Sequence, residues 1–161
     1  MTQEEKQLLL IDLCARLPYG VKVSLNKNNI GDLTAVYPFD GCVIIENLKN
    51  KIPITDFYSS DYGRFTIEEG EVKPYLRPMS GMTEKEIDKL FDILKIDKNG
   101  KDEDWIKIND VLGIKFFFPT GKWVENVAEV YDYLYSIHID FRGLVPMGIA
   151  LEAPEGMYKT E

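Results

Sequence analysis

The clearest alternation of apolar and polar positions lies between Lys73 and Ile96. Thr83 and Glu86 form a T-x-x-E capping box, in which each side chain satisfies a backbone N–H that the first helical turn leaves unpaired. Apolar residues then recur at the spacing i, i+3, i+4, i+7: Ile87, Leu90, Phe91 and Leu94. This pattern predicts a helix that faces the core. Pro74 and Pro78 stiffen an extended segment before it.

Two more helices are predicted from similar signals. Thr2 and Glu5 form a second capping box, and four apolar residues follow at helical spacing: Leu10, Leu13, Cys14 and Leu17. Thr120 can cap a third helix from about Gly121 to Ile137, which has six apolar or aromatic residues on one side: Val124, Val127, Ala128, Tyr131, Leu134 and Tyr135. Both patterns are typical of amphipathic helices that pack on a core.

A period of two predicts three strands in the first third of the chain. Apolar and polar residues alternate from Val21 to Leu25, and residues 26–32 form a polar turn. Two β-rich runs, Leu33–Tyr37 and Cys42–Glu46, are separated by four residues that end in Asp-Gly, a hairpin signal. We expect the three strands to pair antiparallel.

The remaining strand signals are shorter. Ile52–Ile54 contains a proline and is predicted as an edge strand. Arg64–Glu68 and Val72–Leu76 flank Glu69-Gly70 and predict a second hairpin, and Ile114–Phe118 predicts a buried strand. Together the elements predict one α+β domain over residues 1–161, with a mainly antiparallel sheet packed against about three helices.

The acidic net charge of the chain limits the kinds of partner that it can bind. The chain of 161 residues carries 27 acidic and 19 basic residues, for a net charge of −8. Binding to nucleic acid through phosphates requires a basic surface, so we expect no nucleic-acid partner. An acidic surface suits a soluble protein, or one that docks on a basic protein partner.

The lack of a targeting signal and the small number of cysteines favour a cytoplasmic protein. Residues 1–5 lack a basic and apolar leader, and no apolar run is long enough to span a membrane, so we expect neither secretion nor a membrane partner. Cys14 and Cys42 are too few for a disulfide framework, so both are interpreted as small buried hydrophobic residues.

His138, Asp140 and Arg142 form the first candidate for chemistry, in the pattern His-x-Asp-x-Arg. His138 is the only histidine, and an imidazole with a pKa near neutrality can act as a general base or a metal ligand. The alternative is structural, because a histidine at the end of the third helix can interact with the last carbonyls of that helix.

Arg77 is the second candidate, and Arg142 shares its properties. An arginine flanked by apolar residues at a turn can anchor a carboxylate or backbone carbonyls, or it can hold an anionic ligand. The phosphate-loop, zinc-protease, Cys-x-x-Cys and serine-hydrolase motifs are absent from the sequence. Residues 97–104 look like a calcium loop, but counted from Asp97 the required glycine at position 6 is Asp102 and the required glutamate at position 12 is Ile108. We therefore expect no cofactor and no metal.

Three stretches carry a resemblance to known proteins: residues 13–20 (Leu-Cys-Ala-Arg-Leu-Pro-Tyr-Gly), residues 73–80 (Lys-Pro-Tyr-Leu-Arg-Pro-Met-Ser), and Phe141-Arg142-Gly143-Leu144 together with residues 150–158. The chain resembles, over nearly its whole length, a family of uncharacterised proteins encoded by gut Bacteroidetes and their phages. The resemblance implies a bacterial or phage origin and carries no activity, cofactor or catalytic residue.

Two functional hypotheses follow. The first is a small acidic accessory protein that acts by protein–protein interaction without catalysis. The alternative is a small enzyme or ligand-binding domain in which His138, Asp140, Arg142 and Arg77 converge on one pocket. A structural protein of a phage particle is a third possibility, and it would form ordered homo-oligomers.

Overall fold

A mostly antiparallel sheet and three helices make up the described part of the chain. A computed structural model describes residues 1–26, 29–50, 63–67, 72–94, 107–109, 113–115 and 127–159. The helices are α1 (Gln3–Arg16), α2 (Glu84–Leu94) and α3 (Val127–Ser136). The strands are β1 (Lys22–Leu25), β2 (Asn29–Tyr37), β3 (Cys42–Glu46), β4 (Gly63–Thr66), β5 (Lys73–Leu76), β6 (Lys107–Asn109), β7 (Gly113–Lys115) and β8 (Leu151–Glu152).

The strand order of the larger sheet is β4-β3-β2-β1-β5-β8. The first four strands are antiparallel neighbours in chain order, β5 pairs antiparallel with the free side of β1, and β8 pairs parallel with β5. β6 and β7 form a separate antiparallel pair. The predicted α+β class, with a mainly antiparallel sheet and three helices, is confirmed.

Both capping boxes are confirmed. Thr2 Oγ1 accepts a hydrogen bond from the Glu5 amide, and the Glu5 carboxylate accepts one from the Thr2 amide. Thr83 and Glu86 make the same reciprocal pair at the start of α2. These local signals therefore place the first turns of two helices correctly.

The predicted polar turn over residues 26–32 is wrong in part, because β2 already begins at Asn29. Asp32 lies opposite Lys22 in the ladder, and their side chains form a salt bridge of 2.5 Å. Polar side chains are compatible with a strand when they lie on its partly exposed face, so polarity alone did not indicate a turn here.

The predicted hairpin between Arg64–Glu68 and Val72–Leu76 is also wrong. β4 pairs with β3, where Arg64 lies opposite Ile44, and β5 pairs with β1, where Pro74 lies opposite Val23. A glycine turn signal indicates that the chain changes direction, but the strand's partner is chosen by where its apolar face is buried.

Several predictions fall outside the described residues: Ile52–Ile54, residues 97–104, residues 116–118 of the predicted strand Ile114–Phe118, and residues 121–126 of the third helix. The C-terminal tail, from Phe141 onward, contains a short strand, β8, and its apolar residues Leu144, Ile149 and Ala150 are buried. The tail therefore packs on the body of the protein.

Buried apolar side chains form two clusters. The sheet cluster joins α1 to the sheet and the tail, and includes Leu9, Leu13, Val23, Leu33, Val43, Ile45, Leu76 and Leu144. The helix cluster joins α2 to α3, and includes Met79, Met82, Leu90, Leu94, Val130, Leu134, Ile139 and Phe141. The chain crosses between them after Leu76 and again after Phe141.

Gly31 provides a test of packing in the sheet cluster. A Cβ atom at this position in β2 would lie 2.5 Å from Ile45 Cγ2 and 2.7 Å from the Glu46 carbonyl oxygen. We expect Gly31→Ala to lower the free energy of unfolding by about 1–3 kcal/mol, because a backbone atom cannot move aside as a side chain can. Urea unfolding measures this change.

Gly81→Ala is the matched control for Gly31→Ala. The Cβ of an alanine there would lie 3.5 Å from Pro78 Cγ, an ordinary van der Waals distance. Equal losses of stability in the two variants would contradict the packing described around Gly31.

Candidate functional site

Six charged or titratable side chains are buried near the boundary between the two apolar clusters, and we call them the polar seam: Asp12, Arg16, Arg77, Glu86, His138 and Asp140. The residues on either side of Arg77 show that it lies at this boundary. Leu76 belongs to the sheet cluster and Met79 to the helix cluster, and Arg77 lies between them. Buried charges are costly unless they are paired and hydrogen-bonded, so the partners of each group decide what it can do.

Asp12 and Arg16 form an ion pair within α1, and both side chains are 0% exposed. Arg16 Nε donates to Asp12 Oδ2 at 2.6 Å, and Arg16 Nη2 donates to the Ile139 carbonyl at 2.9 Å. Sequence analysis missed this pair. Opposite charges at i, i+4 are usually a surface feature of helices, and the contacts of this buried pair with Ile139, Tyr135 and Arg142 come from distant parts of the sequence.

Arg77 connects β5 to α2 and to the end of α3. Its two terminal nitrogens donate to the two carboxylate oxygens of Glu86 at 2.8 and 2.9 Å, and they also reach the carbonyls of Gly81 (2.6 Å) and Ile137 (3.3 Å). These are the carboxylate and carbonyl contacts that the sequence allowed as one alternative for Arg77. With four acceptors around it, the guanidinium acts as a connector between elements.

Glu86 serves both Arg77 and the capping box of α2. Its Oε2 also accepts a hydrogen bond from the Thr83 amide at 2.8 Å. Burial raises the pKa of this carboxyl, but the hydrogen bonds from Arg77 and Thr83 and the charge of Arg77 outweigh burial and lower it overall. The sequence identified Glu86 as a cap but did not identify its pairing with Arg77.

His138 ends α3 in a left-handed conformation, with φ of +58°. The Ile139 amide donates to the Leu134 carbonyl, and the His138 amide donates to the Tyr135 carbonyl. These two bonds define a Schellman motif, in which glycine usually occupies the position of His138. The predicted place at the end of the third helix is therefore confirmed, and the backbone at His138 is conformationally strained.

The imidazole of His138 is 5% exposed and stacks on Tyr158, with 3.9 Å between ring centroids. Burial, followed by the positive charges of Arg16 and Arg77, lowers its pKa from 6.5 to about 4, although a hydrogen bond with the Tyr19 backbone opposes the shift. The ring is neutral at pH 7. A general base works best with a pKa near the operating pH and needs access to its substrate, so this geometry favours a structural role.

Asp140 and Arg142 make separate contacts. The two oxygens of Asp140 accept hydrogen bonds from the Leu144 and Val145 amides, each at 2.8 Å, and so cap the turn that follows. Arg142 Nε donates to the Tyr135 hydroxyl at 3.0 Å, and its side chain is half-buried.

The backbone brings Arg77 to the other three candidates. The Arg77 amide donates to the His138 carbonyl, and the Asp140 amide donates to the Arg77 carbonyl, both at 2.8 Å. The four residues therefore meet in space, as the pocket hypothesis requires. Their polar side-chain contacts, however, go to Glu86, Tyr135, Asp12 and backbone groups of the protein rather than to a shared site.

Metal-ligating side chains do not cluster within the described ranges, where no group of three or more histidine, cysteine, aspartate or glutamate residues could hold an ion. Cys14 is half-buried and Cys42 is buried, and both are free thiols. The interpretation of Cys42 as a buried hydrophobic residue is confirmed.

The turn between β2 and β3 is the second candidate site. We call residues 37–41, Tyr-Pro-Phe-Asp-Gly, the aromatic turn. Phe39 is 105% exposed, more than any other large hydrophobic side chain of the described residues. Tyr37 is also exposed, and Pro38 adjoins both.

Several contacts hold the aromatic turn in one conformation. The Asp40 amide donates to the Tyr37 carbonyl, and Gly41 adopts the left-handed φ of +63° that closes the loop. Arg64 in β4 donates to Asp40 Oδ2 at 2.8 Å, and its guanidinium lies 4.9 Å from the centroid of the Tyr37 ring. Phe39 is thus presented to solvent by a turn with fixed ends.

Comparison with protein-family models, with curated proteins and with solved structures finds no significant match. A search of the described helices finds none whose length and apolar content would carry it across a bilayer.

Glu86→Gln tests the Arg77 connector. Glutamine preserves the shape of the side chain and its capping role, but it leaves the buried Arg77 charge unpaired. We expect the free energy of unfolding to fall by about 3 kcal/mol or more, as measured by urea unfolding at pH 7.

Asp40→Asn is the control for Glu86→Gln, because it breaks the exposed ion pair with Arg64. Exposed pairs of this kind are screened by water and contribute little to stability. If Glu86→Gln is no more harmful than Asp40→Asn, the buried pair does not connect the elements as described.

Proposed function

We propose that this chain is a small accessory protein that acts by binding another protein, and that the aromatic turn is its contact surface. The observation that carries the proposal is the full exposure of Phe39 on a restrained turn. Phenylalanine that contributes nothing to the core is costly to leave in water, and burying it against a partner would stabilise a complex by about 2–3 kcal/mol.

The restrained turn supports a binding role for a physical reason. Association costs conformational entropy when flexible side chains become ordered. Because Tyr37, Asp40 and Arg64 already fix the turn, little further ordering is needed when Phe39 enters a pocket. Aromatic anchors in central pockets commonly dominate the energy of interfaces.

Charge supports a partner with a basic surface. The net charge of −8 repels nucleic acids and anionic lipids, and it attracts a basic protein during encounter. Together with the resemblance to proteins of gut Bacteroidetes and their phages, this favours a cytoplasmic adaptor or inhibitor that acts on a host or phage protein.

Phe39→Ser tests this function. The wild-type chain serves as bait in a bacterial lysate at low and moderate salt, and the partner's dissociation constant is then measured with each variant. We expect Phe39→Ser to weaken binding at least about 30-fold, equivalent to about 2 kcal/mol, because the anchor is lost. Added salt should weaken wild-type binding as well.

Ile11→Ser is the matched control, because it removes an exposed hydrophobic side chain from α1 instead of the turn. Circular dichroism should show both variants folded, since neither side chain belongs to the core. A partner that binds wild type and Phe39→Ser equally well would contradict the role of the aromatic turn.

A further inference from the structure

The segment of residues 153–159 is attached to the sheet at two points: the Ala153 amide donates to the Leu76 carbonyl at 2.8 Å, and the side chain of Tyr158 bonds to β1 and β5. The Lys22 amide donates to the Tyr158 hydroxyl at 3.0 Å, and that hydroxyl donates to the Tyr75 carbonyl at 2.8 Å. β1 and β5 pair directly at Val23 with Pro74 and at Ser24 with Lys73. The hydroxyl therefore bridges the two strands one step beyond their last direct pair.

The ring of Tyr158 is fixed on its other side by His138. The two rings are 3.9 Å apart and inclined by 25°. The Schellman motif and the buried Ile139 hold the His138 backbone. His138 therefore cannot move away without breaking the end of α3, whereas Tyr158 belongs to a segment held by fewer contacts.

The groups that face the imidazole are mainly cationic. Arg16 approaches from α1 and Arg77 from the end of β5, and each has its own carboxylate partner, Asp12 or Glu86. His138 Nδ1 is buried and has no hydrogen-bond partner among the residues that the structure describes.

Two further groups lie near the imidazole. The Tyr19 backbone accepts a hydrogen bond from the ring, and the carboxylate of Asp140, two residues along the chain, already accepts hydrogen bonds from two amides. Asp12 and Glu86 are paired with Arg16 and Arg77, so none of these three carboxylates is free to accept a hydrogen bond from a second ring N–H. A protonated imidazole would face two guanidinium groups and leave one N–H unpaired in the core.

We propose that residues 154–159, beyond the backbone hydrogen bond from Ala153 to Leu76, form a clasp, closed by Tyr158, that opens when His138 takes up a proton. Opening moves the phenol ring away, so that water reaches the charged imidazole. The connections through Arg77, Arg16 and β1–β4 do not involve Tyr158, and they keep the rest of the fold intact while the clasp is open.

The pH range over which the clasp opens follows from the pKa of His138 in the closed and the open state. In the closed clasp the pKa of His138 is about 4, and in the open clasp water returns it towards 6.5. The open state therefore binds more protons, and closure loses stability as the pH falls from about 6.5 to about 4. Between pH 7 and pH 5 the ratio of open to closed molecules should rise by up to about 20-fold, the value for an open-state pKa of 6.5; the charges of Arg16 and Arg77, which stay in place, reduce it.

Hydrogen exchange of the full chain, followed residue by residue by NMR, tests the clasp. The Lys22 amide reports on Tyr158, and the Leu33 amide, which donates to the Val21 carbonyl, reports on the sheet beside it. After correction for intrinsic exchange rates, we expect the protection of Lys22 to fall several-fold, and by up to about 20-fold, from pH 7 to pH 5. Protection of Leu33 should not change.

His138→Asn is the decisive variant, because asparagine tolerates the left-handed conformation and does not titrate in this range. Its Lys22 protection should be equal at the two pH values. The proposal is overturned if wild-type Lys22 keeps its protection at pH 5, if Lys22 and Leu33 lose protection together, or if His138→Asn shows the same loss as wild type.

The imidazole chemical shifts of the wild-type protein give a second measurement that needs no variant. The closed form should show a neutral ring at pH 5. A ring that is protonated at pH 5 while Lys22 is still protected would also overturn the clasp, because charge would then coexist with closure.

Discussion

The paired hydrogen bonds between Arg77 and Glu86 are the contact on which the placement of α2 relative to β5 and the end of α3 depends. Arg77 leaves β5 immediately after the buried Leu76, and its backbone pairs with the residues that follow α3. Its side chain at the same time reaches Glu86 in the first turn of α2 and the Ile137 carbonyl. One residue thus links the sheet, α2 and the end of α3.

A connection of this kind acts chiefly by penalising other arrangements. A buried ion pair often contributes no more stability than well-packed apolar residues would, but separating its partners leaves a charge uncompensated in the core. Any shift of α2 along the sheet would separate Glu86 from Arg77, and any shift of α3 would remove the Ile137 carbonyl. The polar seam therefore fixes how the two apolar clusters meet, which the clusters alone would leave less well determined.

Local signals in the sequence were sufficient for the starts of α1 and α2, the first hairpin and the α+β class, because capping boxes and periodicity act over a few residues. The partner of β5 was mispredicted, since pairing with β1 depends on burial across the whole sheet. For the candidate site, the sequence selected Arg77 and His138, but it could not pair Arg77 with Glu86 or foresee Tyr158 above His138. Such contacts join residues 9 and 20 positions apart through the fold, and no local pattern encodes them.

The large sequence separation between Tyr158 and Lys22 has a consequence for the rates of folding and unfolding. Strands β1 to β4 join neighbours in the chain, whereas Lys22 and Tyr158 are 136 residues apart. Distant contacts cost the most loop entropy and tend to form after the main barrier is crossed. Interactions that form late hardly affect how fast a chain folds, but they slow its unfolding. The phenol that completes the sheet would then prolong the lifetime of each folded molecule while leaving the speed of its folding to the strands that precede it.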